Sequence, residues 1–137
     1  MKDLKSITID KDVFDEIVRQ ARRQLPDEAC GYLLGKGTRV TAQYPMTNAD
    51  HSPRHFSFVP REQFEAVRFA RKERLDVVGN WHSHPASPSR PSDEDIRLAY
   101  DPDILYFILS IASDTPVLNA FRITGDNVER LELLIVA

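Results

Sequence analysis

Residues 79–95 read GNWHSHPASPSRPSDED. If the apolar segment that leads into this stretch forms a strand, His82 and His84 point to one face, because side chains alternate along a strand. Residues 85–91 contain three prolines, so this segment is not expected to be helical. Asp95 follows it. Two imidazoles and one carboxylate leave a fourth tetrahedral position open for water, as in catalytic rather than structural zinc sites. The stretch therefore predicts a metal site formed by His82, His84 and Asp95.

A simpler interpretation of these residues stays open at this level. Two histidines two apart are a weak signal by themselves, and Ser92 followed by Asp95 is also an ordinary helix N-cap. The helix dipole favours an acidic group in that first turn. The cap accounts for Ser92 and Asp95 but not for two histidines at the end of an apolar strand. With only one cysteine, an iron–sulfur cluster or a cysteine-rich zinc site is not expected.

The rest of the pattern predicts strands and helices that mix along the chain. Asp10 is expected to cap the first helix, and Pro60 suits the start of the second. Three consecutive strands at the end favour an α+β fold, a curved mixed β-sheet flanked by helices, over a doubly wound one. The predicted strands are 4–9, 29–34, 39–46, 55–59, 76–81, 104–112, 116–123 and 128–136, and the predicted helices are 11–25, 61–75 and 92–100.

Length and composition are those of a soluble globular protein. The 137 residues suit a single domain, 1–137, in which 42% of residues are apolar and 28% charged. The net charge of -3 and the interleaved basic residues argue against nucleic-acid binding. No run approaches the ~20 apolar residues of a membrane span, and residues 1–5 lack the apolar core of a signal peptide. The single cysteine, Cys30, suits a reducing compartment, so a cytoplasmic location is expected.

The spacing of the polar residues resembles the signature of the JAMM (MPN-domain) metalloproteases. That signature is His-x-His, seven residues, Ser, two residues and Asp, and His82, His84, Ser92 and Asp95 match it without departure. Residues 26–35, PDEACGYLLG, resemble the family's strand that carries its catalytic glutamate, with the proline, the glutamate and both glycines in register. The resemblance covers essentially the whole chain and implies the JAMM/MPN fold, which is similar to that of cytidine deaminases.

By this resemblance, His82, His84 and Asp95 bind one zinc ion and Glu28 transfers the proton. Zinc lowers the pKa of bound water from about 15.7 towards 7, and a glutamate beside that water takes its proton and returns it to the leaving amine. The Ser92 hydroxyl is expected to help stabilise the carbonyl oxygen as it becomes anionic. The implied reaction is amide hydrolysis without a covalent intermediate.

Chemistry alone does not select the general base. Several carboxylates are candidates, and most of them are expected to be solvated surface groups. Glu28 is chosen because only it lies in the segment that matches the family's glutamate strand. The full set of candidates is Asp27, Glu28, Glu62, Glu65 and Glu94.

The resemblance also implies a class of substrate. Family members cleave isopeptide or peptide bonds after the Gly-Gly tail of ubiquitin or ubiquitin-like proteins. The chain looks most like the short prokaryotic branch, in which some members remove cysteine or another adduct from a ubiquitin-like sulfur-carrier protein. Sulfur-carrier processing is the leading substrate hypothesis, and general isopeptidase activity is the second. An extended tail could add as a strand beside the site.

Other functions fit the sequence less well. A non-catalytic scaffold or interaction module would keep the fold, but scaffold members of the family typically lack the ligands present here. A cytidine deaminase needs a Cys-x-x-Cys pair, which one cysteine cannot provide. A cupin would need a further histidine after His84, and the HExxH string of other zinc proteases is absent.

Five further residues are expected to have no direct role in the site. Cys30 lies in an apolar strand and is expected to pack in the core. His51 and His55 are four apart, but the proline between them argues against a helical ligand pair. Both are expected at the surface, with His55 near enough to border the site. Trp81 and Ser83 alternate with the histidines and are expected to point away from them.

Overall fold

Seven strands and three helices follow one another along residues 4–137, the part of the chain that the computed structural model describes. No helix in this part is long and apolar enough to cross a membrane. Residues 1–3 lie outside the described residues. They belong to the predicted domain, 1–137, and to the segment 1–5 that was predicted to lack the apolar core of a signal peptide. The elements are β1 (Ser6–Asp10), α1 (Lys11–Gln24), β2 (Cys30–Lys36), β3 (Arg39–Met46), α2 (Pro60–Lys72), β4 (Asp76–His84), α3 (Asp93–Arg97), β5 (Leu105–Ser110), β6 (Val117–Thr124) and β7 (Asn127–Val136).

The strands form one mixed sheet that closes into a barrel in the order β1-β3-β2-β4-β5-β6-β7. β1 closes the barrel, because it pairs in parallel with β7 over its whole length and with β3 at Thr8 and Ile9. The mixed sheet and the antiparallel run β5-β6-β7 agree with the sequence prediction. The predicted curved sheet is corrected to a closed barrel. Sheet edges carry unpaired backbone groups, and β1 pairs with both edges at once.

Helix α1 packs its apolar face onto the barrel. Val13, Ile17 and Ala21 are buried at helical spacing and belong to the largest hydrophobic cluster. Asp10 is the N-cap residue, as predicted, but its side chain makes no bond to the helix. Its Oδ1 instead accepts a hydrogen bond from Arg39 Nε at 2.8 Å. The helix start is thereby joined to β3.

Strand β4 lies between β2 and β5 and carries both histidines. The predicted strand ends at Trp81, whereas β4 continues to His84, because its pairing with β2 reaches His82 and its pairing with β5 reaches His84. Trp81 is fully buried in the cluster that α1 covers. His82 and His84 face the other side of the sheet, as the alternation predicts. One strand therefore contributes both to the core and to the candidate site.

Two predicted elements near the site are corrected. The helix predicted at 92–100 is shorter, and α3 ends at Arg97. After α3, Ala99 N donates to the Ile96 carbonyl, three residues back, as in a 3₁₀-helix. The α-helical hydrogen-bond pattern ends there. Residues 55–59, predicted as a strand, belong to a loop. Their alternating pattern reflects packing instead, since Phe56 and Phe58 pack against the cluster around Cys30.

Two glycines in the segment 26–35 permit close packing of the strands. A Cβ atom at Gly31 would lie 2.6 Å from the Tyr44 carbonyl oxygen and 2.8 Å from Trp81 Nε1. A Cβ atom at Gly35 would lie 1.9 Å from the Arg39 carbonyl oxygen. Backbone atoms cannot move aside as a side chain can, so larger residues would push β2 away from its neighbours. Close packing of β2 against its neighbours therefore explains why residues 31 and 35 are glycines.

Ser83 extends the pairing of β2 with β4 by one residue, to Ala29, which precedes the first residue of β2. Its backbone N–H donates to the Ala29 carbonyl at 2.9 Å, and its Oγ accepts a hydrogen bond from Ala29 N at 2.8 Å. Ser83 is fully buried and points away from the histidines, as predicted. These two bonds fix the backbone next to Glu28 against the strand that carries His82 and His84.

We predict that Ser83→Ala lowers the free energy of unfolding by about 1–3 kcal/mol, because it leaves the buried Ala29 N–H without an acceptor. Denaturant unfolding of the purified variant measures this loss. Ser113→Ala is the matched control: its hydroxyl bonds to the Thr115 carbonyl on an exposed turn, and it should shift the value by less than about 0.5 kcal/mol. Equal stability of the two variants would contradict this account of Ser83.

Candidate metal centre

The three predicted ligands meet at the end of β4. Asp95 Oδ2 lies 3.2 Å from His82 Nε2 and 3.1 Å from His84 Nε2, and the two Nε2 atoms are 3.2 Å apart. His82 is 3% exposed and His84 is 5% exposed. Within residues 4–137 this is the one group of histidine, cysteine or acidic side chains arranged to hold a metal ion. The sequence spacing thus becomes a compact set of ligand atoms on two buried histidines and one partly buried aspartate.

Asp95 is held in place by the start of α3. Ser92 is the N-cap: its Oγ accepts a hydrogen bond from Asp95 N at 3.0 Å, and its own N–H donates to Asp95 Oδ2 at 2.9 Å. This reciprocal pair is a capping box. The two interpretations of Asp95, helix cap and metal ligand, are therefore compatible. Ser92, predicted to assist catalysis, is exposed beside the site, and its hydroxyl proton is left free by these two bonds.

His84 is oriented by the loop that follows it. Its Nδ1 lies 2.8 Å from the Pro88 carbonyl oxygen, which can only accept a hydrogen bond. The proton of the neutral ring is therefore on Nδ1, and Nε2 presents a lone pair towards Asp95 Oδ2. A cation between these two acceptors would satisfy both. Backbone carbonyls commonly orient metal-binding imidazoles in this way, so the donor set suits a metal ion.

The loop itself is fastened to β5. Ser110 Oγ donates to the Ser87 carbonyl at 2.6 Å, and Ser89 Oγ donates to the Ile108 carbonyl at 2.5 Å. No spacing or motif singled out Ser87 or Ser89. Both nevertheless help to fix the path of the chain at Pro88, and through it the ring of His84.

His82 is oriented differently. Its Nδ1 is buried and has no hydrogen-bond partner among the described residues. The ring instead stacks on Phe56, with centroids 4.5 Å apart and planes 24° apart. Phe56 lies on the loop between β3 and α2, and no motif in the sequence pointed to it. Its aromatic character within an alternating apolar pattern was the only available signal.

Burial and mutual hydrogen bonding shift the pKa values of the three residues. Burial disfavours the ionised form of Asp95, but hydrogen bonds from His82 and, in its protonated form, from His84 outweigh it and hold the pKa of this carboxyl well below its usual range. Burial lowers the pKa of His82. Burial also acts to lower the pKa of His84, but its bonds to Asp95 and to the Pro88 carbonyl raise that pKa overall. An ionised carboxylate and a neutral imidazole are the forms that bind metal.

Glu28 is a buried carboxyl next to this group. It is 3% exposed, and its Oε1 has no hydrogen-bond partner among the described residues. Burial raises its pKa to about 8, and it interacts electrostatically with both His84 and Asp95. Its backbone is fixed, because its N–H donates to the Ser52 carbonyl at 2.8 Å and its carbonyl accepts from Asn48 Nδ2 at 3.1 Å. An unpaired proton-accepting group near the donors suits general base chemistry.

The other residues singled out in the sequence lie outside the donor set. Cys30 is fully buried, as predicted, and burial raises the pKa of its thiol to about 12, so it is inert as a nucleophile. His51 is exposed, and His55 is exposed with its Nδ1 3.0 Å from Asp50 Oδ2. Neither belongs to the metal-binding group.

The chain matches known proteins along most of its length. Residues 10–124 match the family described as prokaryotic homologs of the JAB domain. A CysO-cysteine peptidase from Mycobacterium tuberculosis is 37% identical over 106 residues, 76% of this chain and 73% of that protein. A desampylase from Haloferax volcanii is 30% identical over 136 residues, 94% of this chain and 96% of that protein. The predicted enzyme class, a JAMM-type peptidase or isopeptidase, is confirmed by these matches.

Solved structures of other proteins resemble this fold. The solution structure of a protein from Desulfitobacterium hafniense has a TM-score of 0.88 at 46% identity, covering 95% of this chain and 92% of that one. A JAB1/MPN domain protein from Archaeoglobus fulgidus, 22% identical, has a TM-score of 0.64 over 96% of this chain and 98% of that one, which supports the predicted fold alone. With the family match along residues 10–124, these findings show that the chain belongs to the prokaryotic branch of the JAB-domain (JAMM/MPN) family.

Proposed function

We propose that this chain is a zinc-dependent hydrolase that cleaves the amide or isopeptide bond after the C-terminal Gly-Gly of a ubiquitin-like sulfur-carrier protein. One zinc ion per chain would be held by His82, His84 and Asp95. The observation that carries the proposal is the convergence of three ligand atoms within 3.2 Å, from two buried histidines and the partly buried Asp95, beside a buried carboxyl without a partner among the described residues. The free, buried Cys30 also suits a reducing compartment such as the cytoplasm.

The chemistry divides between the metal and the side chains around it. A zinc ion at this position supplies Lewis acidity, which polarises a carbonyl and lowers the pKa of water from about 15.7 towards 7. Glu28 Oε1 accepts the proton from the attacking water and returns it to the leaving nitrogen. Because a nearby cation lowers the pKa of a carboxyl, Glu28 would be ionised and able to accept a proton at neutral pH once the ion is bound. The free proton of Ser92 Oγ can donate to the carbonyl oxygen as its charge develops.

The substrate class rests on the relatives. The Mycobacterium tuberculosis relative is named a CysO-cysteine peptidase and the Haloferax volcanii relative a desampylase. Both names support a protein substrate of the ubiquitin-like kind for this chain. The direct test offers the zinc-loaded protein a sulfur carrier extended by cysteine after Gly-Gly, and separately an isopeptide-linked conjugate, with cleavage followed by mass spectrometry. Cleavage of neither would show that the proposed function is wrong, and cleavage of the conjugate alone would favour general isopeptidase activity.

The first prediction from the proposed function concerns metal content. Purified protein should contain about one zinc per chain by elemental analysis, and His84→Ala should contain almost none, because it removes one of three protein ligands. His51→Ala is the matched control, since His51 is exposed and lies outside the donor set. Equal zinc content in the wild type and in His84→Ala would show that His84 is not a zinc ligand and that the proposed site is wrong.

The second prediction concerns the general base. Glu28→Gln should keep its zinc but lose roughly 10²- to 10⁴-fold in the rate of hydrolysis, the usual contribution of a positioned base. Glu65→Gln serves as the control, because Glu65 is an exposed residue on α2 whose nearest cation is Arg61, 3.9 Å away. If Glu28→Gln hydrolyses the substrate at the wild-type rate, another group takes the proton.

The third prediction is a pH dependence of stability in chelator-treated protein. Because burial raises the pKa of Glu28 from 4.5 to about 8, the folded state keeps a proton that the unfolded state releases between these values. Glu28 therefore stabilises the fold less as pH rises from about 4.5 to 8, by a few kcal/mol in total. Denaturant unfolding at pH 5 and pH 8 should show a smaller decrease for Glu28→Gln than for the wild type. Parallel decreases in both proteins would mean that the carboxyl is not desolvated.

A further inference from the structure

A cleft of about 390 Å³ opens beside His82 and Asp95. Its volume is in the range of roughly 300–1,000 Å³ that is typical of ligand sites. Most of its wall is apolar and comes from the loop before α2, the segment around α3, and strands β5 and β6. The apolar wall residues are Phe56, Phe58, Leu98, Ile104, Ile108 and Ile123.

The floor of the cleft is a row of three side chains across the sheet. The register places Asn80 opposite Tyr32 on β2 and opposite Tyr106 on β5. Both phenols already have partners: Tyr32 OH accepts from Gln63 Nε2 at 3.1 Å, and Tyr106 OH donates to the Asp101 carbonyl at 2.8 Å. Tyr32 OH keeps its own proton to donate, so the Asn80 carboxamide oxygen is the acceptor of this row that has no partner among the described residues.

Asn80 is buried without satisfying its hydrogen-bonding capacity. It is 9% exposed, and its Oδ1 has no partner among the described residues. A buried acceptor of this kind is unfavourable unless something supplies a donor. The lining includes Glu94, Asp95 and Asp101 but is mostly apolar. A neutral donor fits this apolar part, because a charged one would lose its hydration there. A peptide N–H has both properties.

We propose that Asn80 Oδ1 is a specificity-determining acceptor for a backbone N–H of the substrate, on the acyl side of the bond that is cleaved. The apolar walls hold one apolar side chain of the same segment. This inference rests on the proposed function, since it assumes a peptide substrate. Asn80 precedes His82 by two residues on the same face of β4, which corresponds to about 6.6 Å of strand. An extended peptide with its reacting carbonyl at the histidines therefore places an N–H about two residues upstream over Asn80.

The test is a backbone N-methyl scan of a peptide that cannot be cleaved, measured on metal-free protein. The probe is a six-residue peptide with a leucine before a C-terminal Gly-Gly, and each backbone nitrogen is methylated in turn. Calorimetry gives the dissociation constant for wild-type protein, for Asn80→Leu, which lacks the acceptor, and for Asn80→Asp, which retains an acceptor oxygen. Denaturant unfolding of each variant verifies that it is folded.

The expected result is one nitrogen at which methylation weakens binding to the wild type and to Asn80→Asp by at least about fivefold, as the loss of one hydrogen bond would. At the same nitrogen, methylation should have almost no effect on binding to Asn80→Leu. Equal penalties in all three proteins at every position would overturn the inference, and so would the absence of peptide binding to the wild type.

A second measurement separates this inference from the proposed function. With zinc-loaded protein and a sulfur carrier extended after Gly-Gly, Asn80→Leu should raise KM at least about fivefold with a smaller change in kcat. Unchanged KM with an active wild type would refute the role of Asn80 and leave the proposed function intact. No hydrolysis by the wild type would refute the proposed function, whatever the peptide scan gives.

Discussion

The two hydrogen bonds between Ser83 and Ala29 hold the segment that contains Glu28 against the strand that contains His82 and His84. The bonded residues are 54 apart in the chain, so no local structure could bring them together. Both bonds are buried and involve backbone groups, and neither involves the side chain of a proposed ligand. The position of the proposed base relative to the proposed ligands is thus a property of the folded barrel.

The connection between β4 and β5 completes the centre. Parallel neighbours cannot be joined by a tight hairpin, and the chain must cross over before the second strand begins. Here the crossover comprises residues 85–104 and contains α3. Its first turn brings Asp95 over the end of β4, where His82 and His84 emerge. The parallel pairing that the fold requires is therefore also what delivers the carboxylate to the imidazoles.

The sequence predicts the part of the site that depends on local spacing. His82, His84 and Asp95 lie within fourteen residues, and strand alternation and a helix cap determine their geometry. The barrel closure could not be predicted, because periodicity does not reveal which strands β1 will pair with. Phe56 was missed because its loop is shaped by bonds from Asn48 rather than by a regular pattern. Glu28 could be separated from the other carboxylates only by family resemblance, and burial is what distinguishes it physically.

The double role of Asp95 constrains any attempt to redesign this centre for another metal. Its Oδ2 faces both imidazoles and also accepts the hydrogen bond from Ser92 N that begins α3. Replacing it with a histidine or a cysteine, to favour a softer ion, would remove the hydrogen bond that Ser92 N donates to it, which is one of the two bonds of the capping box. The first turn would then keep only the bond from the backbone N–H of residue 95 to Ser92 Oγ. Metal preference in this chain is thereby tied to helix initiation, and an engineer would have to supply a replacement cap together with the new ligand.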